Sequence, residues 1–295
     1  MSKISIIGPG AIGATVAALL AQNPAHAVSV CARTPIDHLR IDSPTGTLTA
    51  HPVIYLDPAT AEPADWVLIA TKAYDVAGAA TWLRRLRGPN TRVAVLQNGV
   101  EHVARFAPYV PREFIVPVIV DIPAERQGPG HIHQHRDGTL LVPESPDGDA
   151  FVSLFTLPGL AVSAVADFPT HAWRKLTVNA VGAVSALVDK PARIAARAPI
   201  AEIMTAIARE AITVGRAEGA NLADSFAEEI VNGYRTTTSN FINSLHADRL
   251  AGRPLETDAR NGAVIRIGRQ HGIPTPINQM IVALLEAAAD KNHQG

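Results

Sequence analysis

GPGAIG (Gly8–Gly13) follows directly on the apolar run KISIIG (Lys3–Gly8) and opens a helical apolar pattern over Ala11–Gln22. Few stretches of six residues restrict a fold so strongly. In G-x-G-x-x-G the first glycine permits a tight turn and the second lets a pyrophosphate approach the backbone. The third lets helix and strand pack closely. The helix N-terminus that follows offers free N–H groups and a positive end. A Gly-rich turn alone is a weak signal, because such turns are common. Set between a strand and a helix, it predicts dinucleotide binding by Gly8, Pro9, Gly10, Ala11, Ile12 and Gly13.

The residues around it repeat the same rhythm. AVSVCA (Ala27–Ala32), WVLIAT (Trp66–Thr71), RVAVLQN (Arg92–Asn98) and EFIVPVIV (Glu113–Val120) read as further strands. They are rich in β-branched residues and bounded by Gly, Pro and Asn. A second helix is expected over Asp75–Leu86. Strands alternating with helices indicate a mostly parallel sheet with covering helices. Gly128 to Leu160, rich in Gly, Pro and Asp, is expected to finish that sheet.

From Pro169 the pattern becomes helical: Ala172–Val188, Pro199–Glu218, Leu222–Leu250, Glu256–His271 and Thr275–Ala289. The fold class is therefore α/β: a Rossmann-type dinucleotide-binding domain over residues 1–168, then an all-helical domain over residues 169–295.

Composition narrows the partners. With 295 residues, 47% hydrophobic and 18% charged, the chain can bury a sizeable core. A net charge of -1 suggests neither nucleic acid nor an anionic membrane, so a small molecule is expected. The single cysteine, Cys31, cannot form an intramolecular disulfide and reads as a buried small residue. Lys3, the apolar run to Leu20 and AHA (Ala25–Ala27) imitate a secretion signal, but Gly8-Pro9-Gly10 interrupts its apolar core. No uninterrupted apolar run reaches the roughly 18–20 residues of a membrane span. A soluble, cytoplasmic protein is expected.

The end of the second strand distinguishes between dinucleotides. An NAD site places an acid there for the ribose 2′-hydroxyl. VSVCARTP instead carries Arg33, whose planar fork suits a 2′-phosphate, and no acid occurs before Asp37. NADP(H) is the expected cofactor; the duller reading of Arg33 is a solvated loop residue. Lys72 in ATKAYD and Asn98 in LQNGV stand at the carboxyl ends of two further strands, where open α/β sheets bind ligands in a common crevice. Either could equally be a cap or turn residue. HIHQH (His131, His133, His135) puts three imidazoles on one strand face, but without accompanying acids or cysteines it reads as a solvated face, and no metal is expected.

In HAWRKLTVNAVGAVSALV (His171–Val188), Trp173, Leu176, Ala180, Ala183, Val184 and Leu187 form an apolar band, with Lys175 and Asn179 one turn apart on its flank. An ammonium beside apolar walls has its charged form disfavoured, so a lysine there needs a reason. Further on, Ser239, Asn240, Asn243 and Ser244 are more polar than a core face requires. A new helix is expected to begin at Leu255 or Glu256, where Glu256 and Asp258 would by default favour the helix dipole.

Taken in order, GPGAIG, TKAYD, QNG, GPGHIHQH, WRKLTVN, GRPLETDARNGAVIRIG and GIPTP resemble the ketopantoate reductase (2-dehydropantoate 2-reductase) family over essentially the whole chain. The resemblance implies NADPH-dependent reduction of a 2-keto acid, with Lys175 as proton donor. It implies cofactor contacts at Gly8 to Gly13, Arg33, Lys72, Asn98 and Glu256, and substrate contacts at Asn98, Lys175, Asn179 and Ser244. Glu256 would help to hold Lys175 and the cofactor in register. Developing charge on the carbonyl oxygen explains the costly lysine, since partial desolvation makes an ammonium a better acid.

Three stretches depart from the family pattern. Ala183-Val184 replaces a common Asn-Pro, and Arg193 stands where a second substrate asparagine is placed; Leu255 heads the usual T-E-I-D but the acid is kept. Ketopantoate is therefore expected to be turned over poorly, with some other 2-keto acid giving the higher kcat/KM, and an inward Arg193 would favour an acidic one. If Ser185, Asn240 and Asn243 compensate, ketopantoate remains the substrate. The competing class is a non-catalytic NADP(H)-binding sensor, which would need the glycines but not Lys175, Asn98 and Glu256. As partners, a small-molecule 2-keto acid is expected, with no nucleic acid and no membrane. A homodimer is the candidate assembly.

Overall fold

Ile4 and Ile6 enter one apolar core and Ile7 enters another, so the first strand is covered on both faces. The same alternation recurs on neighbouring strands: Leu68 and Ala94 join the first core, while Val67, Ile69, Val93 and Val95 join the second. Runs buried on both sides are the signature of a parallel sheet with helices on its faces. The computed structural model describes residues 1–156, 158–237 and 242–289. The chain divides into one unit of Met1–Gln97 with Glu101–Phe168, and a second of Asn98–Val100 with Pro169–Gly295.

In chain order the first unit contains β1 (Ser2–Ile7), α1 (Ala11–Leu20), β2 (His26–Cys31), β3 (Leu39–Ser43), β4 (Gly46–Ala50), β5 (Val53–Tyr55), β6 (Ala64–Ile69), α2 (Val76–Leu86), β7 (Arg87–Val95) and α3 (His102–Phe106). It continues with β8 (Ile115–Pro117), β9 (Ile119–Asp121), β10 (Ala124–Gly128), β11 (His131–Gln134), β12 (Gly138–Pro143), α4 (Pro146–Val152) and β13 (Leu160–Val165). The main sheet is wholly parallel, in the order β5-β2-β1-β6-β7-β8. Counting only its own strands, that is the doubly wound order 3-2-1-4-5-6, whose reversal point lies between β1 and β6.

Two smaller sheets correct the expectation that residues 128–160 extend this one. They run β10-β11-β3-β4 and β13-β12-β9. In the first, β11 pairs parallel with β3 but antiparallel with β10. Short strands with one exposed face suit such an arrangement, because a doubly covered parallel sheet needs continuous apolar runs. On β11, His131 and His133 alternate with the buried Ile132 and Gln134.

The second unit is helical: α5 (Phe168–Val181), α6 (Ala183–Val188), α7 (Ala198–Ala217), α8 (Phe226–Thr236), α9 (Ser244–Leu250), α10 (Asn261–Gln270) and α11 (Pro276–Ala289). Trp173, Leu176, Ala180, Ala183 and Val184 are buried in one core with Met204, Ile207, Ala211 and Val264. Gly215 of α7 permits this packing, since a Cβ there would lie 2.9 Å from the Trp173 indole. Glu210 of α7 accepts from the backbone N–H groups of Ile277 and Asn278, both at 2.9 Å, capping α11 with a favourable negative charge.

Two helical expectations are corrected. Leu222–Leu250 is not one helix: α8 stops at Thr236, and α9 restarts with Asn243 as N-cap, its Oδ1 accepting from the His246 N–H at 3.1 Å. A run of β-branched threonines weakens the first helix, and the asparagine starts the second. Ser239 and Asn240 lie outside the described residues. The helix expected at Leu255 or Glu256 begins only at Asn261, because Thr257 to Arg260 form a turn. The Thr257 carbonyl there accepts from Arg260 N at 3.2 Å and Gly262 N at 3.0 Å. Among the described residues no helix is long and apolar enough to cross a membrane.

Candidate active site

Strand register brings the first group of residues together. Ile7 is aligned with Cys31 of β2 and with Ile69 of β6, and Ile69 with Val95 of β7. Gly8, Ala32, Ala70 and Leu96 therefore leave the sheet side by side at its carboxyl edge. Gly8 has φ +92° and Gly10 N donates back to its carbonyl at 2.8 Å, which closes the turn. A Cβ on Gly8 would come within 2.8 Å of Thr71, and one on Gly13 within 2.2 Å of the Gly8 carbonyl oxygen. Both positions demand glycine for packing alone. Gly10 differs, because a Cβ there would meet nothing within 4 Å.

The N-terminus of α1 completes the cradle. Gly10 is its N-cap, no side chain caps it, and its first turn carries no acid. The N–H groups and the helix's positive end are thus left for an anion approaching the open side of Gly10. These residues fit the pyrophosphate of a dinucleotide.

Arg33, two residues beyond β2, has a side chain 87% exposed and pairs with Asp75 Oδ2 at 3.5 Å. So exposed a pair contributes little, and the guanidinium can exchange it for a phosphate. Lys72 stands in the turn after β6, its carbonyl accepting from Asp75 N at 2.9 Å. Gln97 braces that turn, donating to Thr71 Oγ1 at 2.9 Å and to the Lys72 carbonyl at 3.3 Å. The Gln97 carbonyl in turn meets His102 Nε2 at 2.8 Å. Burial drives the His102 pKa down to about 4, so the ring is neutral near pH 7.

In the helical unit, Lys175 and Asn179 are half-buried on α5, one turn apart, beside the buried Trp173 and Leu176. Asn98 Nδ2 donates to Glu256 Oε2 at 3.1 Å, and Glu256 is only 3% exposed. Gly99, with φ +108°, lets the chain turn against the Ala259 carbonyl. Ser244, exposed at the first position of α9, accepts from Arg260 Nη2 at 2.8 Å. Asn243 Nδ2 donates to the Gly182 carbonyl at 2.9 Å and so ties the start of α9 to the α5–α6 junction.

The sequence did not single out Thr71, Gln97, His102 or Arg260. No local pattern marks the last, since Arg260 is flanked in sequence by Asp258, Ala259, Asn261 and Gly262. Ala183 is fully buried in the helical core, and Arg193 is exposed. Cys31 is buried, and desolvation pushes its thiol up to about 12, far from a thiolate nucleophile. His131 engages Asp42 at 2.7 Å, and among the described residues no group of three or more His, Cys, Asp or Glu is placed to hold a metal ion.

A doubly wound parallel sheet with a glycine turn at its reversal point, followed by a helical unit, defines a Rossmann-type α/β protein with a helical partner domain. Residues 4–147 match the family model described as "Ketopantoate reductase PanE/ApbA", and residues 167–289 match that for its C terminal part. A 2-dehydropantoate 2-reductase of Caulobacter vibrioides is 51% identical over 289 residues, covering 98% of this chain and 100% of that protein. The 2-dehydropantoate 2-reductase of Mycobacterium tuberculosis is 39% identical over 289 residues, covering 97% and 98%. The crystal structure of a PanE/ApbA family ketopantoate reductase from Ralstonia eutropha superposes with a TM-score of 0.89 at 28% identity, covering 98% and 99%. The chain belongs to the ketopantoate reductase family.

Proposed function

We propose that this protein is an NADP(H)-dependent 2-dehydropantoate 2-reductase, which reduces the 2-keto group of ketopantoate to a hydroxyl. The observation that carries the reading is the contrast within the glycine turn, where Gly8 and Gly13 are tightly packed while Gly10 faces open space. Full-length relatedness to 2-dehydropantoate 2-reductases supports the substrate. Gly8 to Gly13 would hold the pyrophosphate, with Arg33 on the 2′-phosphate and Lys72, Asn98 and Glu256 as further cofactor contacts. When bound, the reduced cofactor supplies the hydride that the keto carbon receives.

The chain's own residues handle the charge and the proton. Lys175 polarises the keto oxygen and donates a proton to it from Nζ, a role for which general acid catalysis typically contributes about 10²–10⁴-fold. Asn179, one turn on, and Ser244 hold the substrate's oxygens, with Asn98 as a further contact. Glu256 keeps Lys175 in register. A sensor that only bound NADP(H) would have no use for this set, and relatives named as reductases disfavour it.

The departures at 183 and 193 weigh less than the family pattern suggests. Ala183 is buried in the helical core and Arg193 is exposed. Comparing kcat/KM for ketopantoate with that for its analogue lacking the 4-hydroxyl tests the substrate. A strong preference for the hydroxylated compound is expected. Equal values would assign the enzyme to another 2-keto acid, because a site built to bond a hydroxyl rejects the analogue that lacks it.

A further inference from the structure

Arg260 is the largest fully buried side chain among the described residues, at 1% exposure. It lies at the end of the turn before α10, whose first turn brings Ala263 and Val264 into the core. A guanidinium in such a place is expensive, and an apolar side chain of similar volume would often be as stable or more so. Glu256 and Asp248, with Tyr234 behind them, favour its charge against burial. Yet both acids have other partners: Glu256 accepts from Asn98 at 3.1 Å, and Asp248 pairs with Arg253 at 2.8 Å. Arg260 Nε has no hydrogen-bond partner, while Nη2 donates to Ser244 Oγ at 2.8 Å. The buried charge is thus directed at an exposed hydroxyl.

The chemistry of that contact is one-sided. A guanidinium has donors only, so the serine oxygen must accept and its own proton must point elsewhere. Without Arg260 the hydroxyl would rotate and could equally offer a lone pair to a ligand. With it, Ser244 is held as a donor, and the charge-assisted bond strengthens that polarity. An oxygen-bearing anion is the matching ligand.

We infer that Arg260 is a positioning residue for substrate specificity, holding the Ser244 hydroxyl as a donor to an oxygen of an anionic 2-keto acid. This rests on the assignment of Ser244 to the substrate in the proposed function. It adds a residue that acts without touching substrate, and it gives the buried cation a role beyond its charge balance with Glu256 and Asp248.

The test is a double-mutant cycle with Arg260→Met and Ser244→Ala, assayed with ketopantoate at saturating NADPH. Arg260→Met should raise KM about tenfold and leave kcat within about twofold, since it removes binding and not chemistry. In the Ser244→Ala background the same substitution should change KM by less than about twofold, because both act through one contact. An unchanged KM for Arg260→Met, or an equal rise in both backgrounds, overturns the inference. Ser244→Ala alone decides the underlying assignment: if its KM equals that of the unmodified enzyme, Ser244 is not a substrate contact. Should Arg260→Met not fold, Arg260→Gln takes its place in the cycle with the same two readings, because its carbonyl can accept and the hydroxyl is no longer forced to donate.

Discussion

Asn98 and Glu256, 158 positions apart in sequence, share a hydrogen bond of 3.1 Å from Nδ2 to Oε2. The carboxylate is buried and faces the charge of Arg260, so it serves stability as well as the site. Glu256→Ala would leave a buried guanidinium less compensated and an amide without its acceptor. A loss of about 3 kcal/mol in urea unfolding is expected, and about half that for Glu256→Gln, which retains a carbonyl for Asn98. A Glu256→Ala loss under about 1 kcal/mol would show the pair to be incidental.

Lys175→Ala should lower kcat by roughly 10²-fold or more, as removal of a general acid does. NADPH affinity, measured by fluorescence titration, should change little, since the glycine turn and Arg33 are untouched. A near-normal kcat at saturating substrate would leave Lys175 a structural role only.

Arg33 should make NADPH preferred over NADH by at least about tenfold, or about 1.4 kcal/mol. Arg33→Asp would place a second carboxylate beside Asp75 and repel the 2′-phosphate, narrowing or inverting the preference. Comparable kcat/KM with both cofactors in the unmodified enzyme would refute the assignment.

The glycines should separate folding from binding. Gly13→Ala drives a Cβ into the Gly8 carbonyl, so a clear drop in Tm is expected. Gly10→Ala has room in the protein but intrudes where the pyrophosphate would approach, so Tm should hold while the NADPH Kd rises. If Gly10→Ala bound NADPH normally, the open side of Gly10 would not be the cofactor's place.

His102 makes stability depend on pH. Its pKa falls from 6.5 to about 4 on folding, so the unfolded chain alone takes up a proton between those values. Stability is complete above about pH 6.5 and is lost as pH falls towards 4, by about 2 kcal/mol between pH 7 and 5. Urea unfolding at both pH values should show that loss in the unmodified protein, and it should be smaller by that amount in His102→Gln.

Much of this molecule is written in local patterns. Turn glycines, β-branched runs and the change of period at Pro169 mark the parallel sheet, the dinucleotide turn and the helical half, because each depends on residues a few positions apart. Lys175 and Asn179 were legible for the same reason, as one helical turn relates them. Local patterns failed where competing local signals were close in strength, as at Thr236–Asn243 and at Glu256. The three-sheet division, the Asn98–Glu256 bond and the Arg260–Ser244 contact belong to the tertiary structure alone. Each joins groups far apart in sequence, and which buried donor meets which acceptor is decided only when the packed chain leaves them no water to bond instead.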